Sequence, residues 1–140
     1  MTTANANATD AARCTLRLEE SDGRGNLKLS VPGTEYVLDL AATGAVSTPV
    51  GKRLAGVVAG RAQKLHRCHA GGEFIEPVEG HPRIVQGRVR AQDLDGNRLL
   101  VQAVVPMWIA LGTGQSAREF HAGDIVNFYM ESGVTFAPQA

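Results

Sequence analysis

Apolar and polar residues alternate in short runs from Thr15 to the end of the chain, and Gly, Pro, Asp and Asn interrupt those runs. A period of two is typical of β-strands that bury one face, whereas an amphipathic helix shows a period near 3.6. Helical patterning is almost absent. The pattern therefore predicts an all-β fold, either a barrel or a sandwich of short strands.

The predicted strands follow the alternating runs. They cover residues 14–20, 26–31, 35–40, 54–67, 83–93, 98–105, 124–131 and 134–137. A stretch with some helical character, residues 114–123, precedes the last two. The long run at 54–67 contains Gly56 and Gly60, which would weaken a flat strand, so we expect this strand to bend around a barrel.

The runs at 83–93 and 98–105 predict a hairpin. Their apolar residues share one face if Ala91 pairs with Val101. The loop is then Asp95 to Asn97, whose last position needs a left-handed backbone that Asn tolerates. The opposite face of the hairpin is predicted to carry polar side chains, namely Gln86, Arg88, Arg90, Gln92 and Gln102.

A long bent strand, a hairpin, a short helix and a closing hairpin resemble the oligonucleotide/oligosaccharide-binding (OB) fold over residues 50–138. Residues 13–40 then add strands to that barrel or belong to a second sheet. We expect a single β-barrel domain over 13–140. Residues 1–12 have neither apolar core nor periodicity and are predicted to be a disordered tail.

The chain has 140 residues, of which 44% are hydrophobic, enough for one domain with a single core. No apolar run approaches the ~20 residues that cross a bilayer, so we expect a soluble protein that does not enter the membrane. Because no signal peptide is recognised, Cys14 and Cys68 are expected to stay reduced in the cytoplasm, although a disulfide between them is the alternative.

Basic residues are concentrated in the middle of the chain. The formal net charge is zero, but residues 52–92 include eight basic and three acidic side chains, a local net charge of +5. Such a region can attract an anion or a polyanion, or it can be an ordinary solvated surface. The candidate ligand-binding residues are Arg61, Lys64, Arg67, Arg88 and Arg90.

These residues favour a non-enzymatic binding module for single-stranded nucleic acid or another anionic partner. Proteins that bind single strands usually stack bases on aromatic side chains. The aromatic residues of the apolar runs are predicted to be buried, which leaves the basic face without a stacking platform. They are Trp108, Phe128, Tyr129 and Phe136.

The segment KLHRCHAGG at residues 64–72 places two imidazoles and a thiol close together. In a strand, His66 and Cys68 share a face and His69 points away. Structural zinc usually takes four ligands, so two on one face predict no metal site. A Cys68 nucleophile would need an oriented base and a third group, and no such pattern is present. We expect no catalytic residue and no cofactor.

The loop at 73–79 is more apolar than an exposed connection, because it contains Phe74, Ile75 and Val78. The loop is predicted to pack on its own barrel. Alternatively, this loop and the PMWIAL segment at 106–111 could serve a protein partner or self-assembly.

Arg13 and Arg17 form an R-x-x-x-R pattern, and Asp39 and Gly44 have the spacing of D-x-S-x-x-G. Together these residues, within 13–44, resemble the PilZ family of β-barrels, which bind cyclic di-GMP. Ala41 stands where the family pattern has Ser. The resemblance implies a cyclic-dinucleotide receptor as an alternative function.

Overall fold

The structure is a computed structural model that describes residues 10–139. Over this range the all-β prediction is confirmed, because eleven strands form one sheet. Most of the predicted tail, residues 1–9, lies outside the described residues. Residues 10–12 form a helical turn, and Ala12 is buried beside Leu100 and Trp108.

The strands have the following bounds. They are β1 (Arg13–Ser21), β2 (Asn26–Ser30), β3 (Val37–Ala42), β4 (Arg53–Cys68), β5 (Phe74–Glu76), β6 (Glu79–Gly80), β7 (Ile84–Asp93), β8 (Arg98–Ala103), β9 (Val105–Ala110), β10 (Ile125–Met130) and β11 (Thr135–Gln139). A 3-10 turn, Ala117–Glu119, lies in the stretch that was predicted to have helical character, and Ser116 caps it.

The strand pairings close two rings that share β4. The first ring runs through β1, β2, β3, β11 and the first half of β4, which pairs with β1. The second ring runs through the other half of β4, β10, β7, β8 and β9, and β9 returns to β4 in parallel. The strands within residues 13–40 therefore do not form a second sheet, but belong to a ring that β11 completes.

Both edges of β4, a strand of 16 residues, are paired along most of its length. On one edge, β1 pairs with residues 53–57 and β9 with residues 58–61. On the other edge, β11 pairs with residues 55–59 and β10 with residues 62–68. One large hydrophobic core runs through both rings and includes the fully buried Phe128 of β10 and Phe136 of β11, and a small second cluster contains Ala12, Leu100 and Trp108.

The hairpin of β7 and β8 exists, but its predicted register is wrong. Val89 pairs with Val101 and Ala91 with Leu100, because Arg90 is an extra residue that forms a bulge. The loop has four residues, 94–97, and Asn97 adopts the expected left-handed conformation with φ of 52°.

Beyond the bulge the strand faces are exchanged relative to the prediction. Gln92 is therefore not on the outer face with Arg88. It lies opposite the buried Leu99, and its amide donates hydrogen bonds to the carbonyls of Ala117 and Phe120 at the end of the ring.

Gly56 explains how β4 approaches β11 closely enough to close the first ring. A Cβ atom at this position would lie 2.4 Å from the Phe136 ring and 2.6 Å from the Ala137 carbonyl oxygen. Real Cβ atoms do not approach so closely, so only glycine fits here without a shift of the buried ring.

We expect Gly56→Ala to lower the free energy of unfolding by about 1–3 kcal/mol, because Phe136 cannot move without disturbing the core. Gly44→Ala is the matched control, since a Cβ atom at Gly44 meets nothing within 4 Å. Urea denaturation followed by tryptophan fluorescence measures both variants. Equal stabilities of the two variants would contradict the close approach described here.

Candidate functional site

Three strands of the second ring and the adjoining β5 present one continuous outer face. Residues paired across neighbouring strands point to the same side of a sheet. In β7 and β10, the residues Val85, Val126 and Phe128 point inward and are fully buried, so the alternating residues between them point outward. The strand order across this surface is β5, β7, β10 and β4.

We call this surface the β10 face. It consists of Lys64, His66, Cys68, Phe74, Glu76, Ile84, Gln86, Arg88, Ile125, Asn127 and Tyr129. The pairings align one row of side chains across all four strands, in the order Phe74, Gln86, Asn127 and His66.

Tyr129 is the residue that sequence reasoning placed wrongly. Of the four aromatic residues predicted to be buried, Trp108, Phe128 and Phe136 are buried, but Tyr129 is 60% exposed. Its apolar run was read correctly as a strand. However, Tyr129 lies two residues after Asn127 in the same strand, so both side chains point outward. This alternation of side chains was the signal that could have revealed its exposure.

A bulge in β4 lies directly beside Tyr129. The ladder places Phe128 opposite Leu65 and Met130 opposite Ala62, so two residues of β4 oppose Tyr129 alone. Those residues, Gln63 and Lys64, are both exposed. The bulge therefore places Lys64 beside Tyr129 in the ladder.

Amide side chains organise the centre of the β10 face. The Gln86 carbonyl oxygen accepts a hydrogen bond from the Asn127 amide at 3.0 Å and lies 3.8 Å from the Cys68 sulfur. The Gln86 amide nitrogen donates to the Gly72 carbonyl at 2.9 Å. Gln86 thus ties three strands to the glycine-containing loop that follows β4.

Arg88 lines a pocket of about 380 Å³ at the end of the β10 face. The other lining residues are Gly71, Gly72, Glu73, Gly87 and Ile125. One guanidinium nitrogen of Arg88 donates to the Gly123 carbonyl at 2.9 Å. The Glu73 carboxylate accepts a hydrogen bond from the Val104 N–H. The pocket thus combines one fixed guanidinium with a carboxylate that already has a backbone partner.

Two of the five predicted basic residues, Lys64 and Arg88, lie on the β10 face. Arg90 is exposed in the bulge of β7, beyond the last residue that pairs with β10. Arg61 donates a hydrogen bond to the Leu111 carbonyl at 3.2 Å.

Arg67 pairs with the inward-pointing Val126, so its side chain also points inward and caps the end of the second ring. Its guanidinium contacts the Asp124 carboxylate at 3.2 Å, donates to the Glu119 carbonyl and lies 4.9 Å from the centre of the Phe120 ring. The pKa of Asp124 is lowered, first by the hydrogen bond from the His121 N–H and then by Arg67, against an opposing effect of burial.

His66 and Cys68 share the β10 face as predicted, and His69 lies beyond the end of β4. Within residues 10–139, no three His, Cys, Asp or Glu side chains are close enough to hold a metal ion. Cys14 and Cys68 are free thiols. Burial raises the pKa of the Cys14 thiol to about 11, which disfavours its reactive thiolate at neutral pH.

The residues of the PilZ-like pattern lie at separate places in the first ring. Arg13 pairs with Val57 at the start of β1. The Arg17 guanidinium donates to the Gly51 carbonyl at 3.1 Å, whereas the Asp39 carboxylate pairs with the Lys28 ammonium at 2.9 Å.

The loop at 73–79 packs on its own ring through the buried Ile75, which pairs with Val85, while Val78 stays exposed. Most of the PMWIAL segment lies in the strand β9, which sequence reasoning missed. Met107 and Ile109 point into the core, and Arg98 stacks on Trp108 at 4.3 Å.

Comparisons with models of protein families and with curated proteins found no match to this chain. None of the helices in residues 10–139 has the length and apolar character needed to span a membrane.

We expect Asp124→Asn to flatten the pH dependence of stability in acid. A carboxyl group with a lowered folded-state pKa stabilises the protein above its unfolded pKa of about 4, and that contribution is lost as the pH falls through the folded value. Urea denaturation between pH 7 and pH 2 measures the effect. A pH profile identical to that of the wild type would show that Asp124 does not contribute to acid sensitivity.

Proposed function

We propose that the protein binds single-stranded nucleic acid across the β10 face and acts as a binding module rather than as an enzyme. The observation that carries the proposal is the exposed Tyr129 ring, which lies on the same face as Lys64 and Arg88. An aromatic platform beside cationic side chains is the combination used for single strands, because bases stack and phosphates pair with cations.

The dimensions of the β10 face fit several nucleotides. Phe74 lies two strands and two residues away from Tyr129, so standard sheet spacings separate the two rings by roughly 12 Å. His66 lies diagonally across from Tyr129 at roughly 7–8 Å. A strand that crosses β10 can therefore reach two aromatic rings and an imidazole.

Polar groups on the β10 face supply the remaining contacts. Asn127 keeps amide hydrogen-bonding capacity that a base edge can use. Arg88 retains donors beyond its bond to Gly123, and these can contact a phosphate at the end of the β10 face. Lys64 provides a second phosphate contact next to Tyr129.

The proposal retains two further expectations from the sequence. The OB-like interpretation of residues 50–138 is supported by the number of strands in the second ring and by its closure, and not by strand order. The cytoplasm is the proposed compartment, because both thiols are free.

We expect Tyr129→Ala to weaken binding of a fluorescein-labelled single-stranded oligonucleotide by about 5- to 150-fold, since stacking contributes ~1–3 kcal/mol per base. Tyr129→Phe keeps the ring and should bind like the wild type. Fluorescence anisotropy measures both variants. Equal affinities of Tyr129→Ala and Tyr129→Phe for the oligonucleotide would contradict base stacking on the Tyr129 ring.

We expect the double substitution of Lys64 and Arg88 by Ala to weaken binding similarly for different sequences, because phosphate contacts carry no sequence information. The plot of log affinity against log salt should become shallower by roughly 1.4, which corresponds to two phosphate contacts. Arg24→Ala is the control, because Arg24 is exposed in the turn between β1 and β2.

Two results would contradict the proposal. One is a wild-type protein without salt-sensitive binding to DNA or RNA at low ionic strength. The other is binding of cyclic di-GMP that Arg13→Ala abolishes while oligonucleotides fail to bind, which would favour the PilZ-like receptor instead.

A further inference from the structure

The pocket at the end of the β10 face is lined by two side chains of opposite charge that do not pair with each other. Arg88 and Glu73 both line its volume of about 380 Å³. Neither takes part in an ion pair within residues 10–139. Arg88 uses one guanidinium nitrogen for the Gly123 carbonyl and keeps its other donors for a ligand.

The Glu73 carboxylate is held by the tight connection between β8 and β9. Val104 is the one residue between these strands, because Ala103 pairs with Val105. Its φ of 66° is a strained conformation for a β-branched residue. The Val104 N–H donates to one Glu73 carboxylate oxygen at 3.0 Å. This bond gives the carboxylate a defined position in the pocket.

The second oxygen of the Glu73 carboxylate is available to a ligand. Glu73 is exposed, and its side chain makes no other hydrogen bond within residues 10–139. An ionised carboxylate accepts hydrogen bonds and donates none, so a ligand group beside it must be a donor. A phosphodiester has no donor, and its negative charge is repelled by the carboxylate. The pocket therefore suits a neutral donor that lies next to the phosphate at Arg88.

The walls of the pocket leave room for a sugar. Gly71 and Gly72 contribute backbone on one side, and Ile125 contributes apolar surface. A Cβ atom at Gly72 would meet nothing within 4 Å, so the missing side chain keeps that side open. The volume of about 380 Å³ lies within the range of small-molecule sites, which is about 300–1,000 Å³. One ribose fits this space.

We propose that this pocket recognises the ribose 2′-hydroxyl, so that the β10 face binds RNA more tightly than DNA. The inference rests on the proposed function of the β10 face. A phosphate contacts Arg88, and the 2′-hydroxyl of the adjoining ribose donates to the second Glu73 oxygen. Within a strand the 2′-hydroxyl is the only free hydroxyl of each sugar, and DNA lacks it. Glu73 thus distinguishes the two nucleic acids without reading a base.

The test compares three fluorescein-labelled oligonucleotides of equal length that differ only at the 2′ position. They are oligouridine, oligodeoxyuridine and 2′-fluoro-oligouridine, which keeps a ribose-like sugar conformation but has no 2′ donor. We expect the wild type to bind oligouridine about 2- to 12-fold more tightly than either of the others, which is the net contribution of one hydrogen bond. Fluorescence anisotropy at low ionic strength measures the three affinities.

A second comparison tests Glu73 itself. Glu73→Ala removes the acceptor and should bind the three oligonucleotides alike. Glu76→Ala is the matched control, because it removes the same group from another exposed position of the β10 face. This control should keep the preference for oligouridine. Circular dichroism verifies that both variants fold, and the three oligonucleotides decide the question on the wild type if Glu73→Ala does not fold.

The outcomes separate this inference from the proposed function. Equal binding of oligouridine and 2′-fluoro-oligouridine would overturn the inference, because sugar conformation and not hydrogen-bond donation would then explain any preference over DNA. Equal binding of all three oligonucleotides by the wild type, or a preference that survives in Glu73→Ala, would overturn the inference alone. Binding of none of them would overturn the proposed function and this inference with it.

Discussion

The backbone ladders on the two edges of β4 hold the two rings together. An unpaired edge of such a long strand would expose a row of N–H and C=O groups, and here four other strands cover most of them. The approach of β11 requires glycine at position 56, because the Phe136 ring lies against the β4 backbone. The core can then continue from one ring to the next without a boundary.

The position of β10 follows from the same ladders. β10 lies between β7 and β4, so its outward side chains occupy the middle of a surface and not its border. Tyr129 is 60% exposed and lies beside the bulge of Gln63 and Lys64. Under the proposed function, the exposed ring serves for base stacking and not for core packing.

Much of the fold was predictable from the sequence, and the reasons are local. Alternation located eight of the eleven strands but not β5, β6 or β9, and Asn97 marked the left-handed end of the β7–β8 loop. The register of strand pairing was harder to predict. The bulges at Arg90 and at Gln63–Lys64 each add one residue to a strand, and the pattern of apolar residues does not reveal them. The candidate site was predicted only in part. Lys64 and Arg88 lie on one face. Arg67 is an arginine like Arg88, but it caps the end of the second ring, and only its tertiary contacts distinguish the two roles.

The central claim is that a single nucleic-acid strand lies across β10. The most direct measurement is a map of the amide and side-chain chemical shifts that change when an unlabelled oligothymidine is added to the ¹⁵N-labelled chain. The account predicts that the largest changes fall on His66, Gln86, Asn127 and Tyr129, and that residues 22–26 in the first ring stay unchanged. Changes centred on the first ring, or spread evenly over the exposed basic residues, would contradict it.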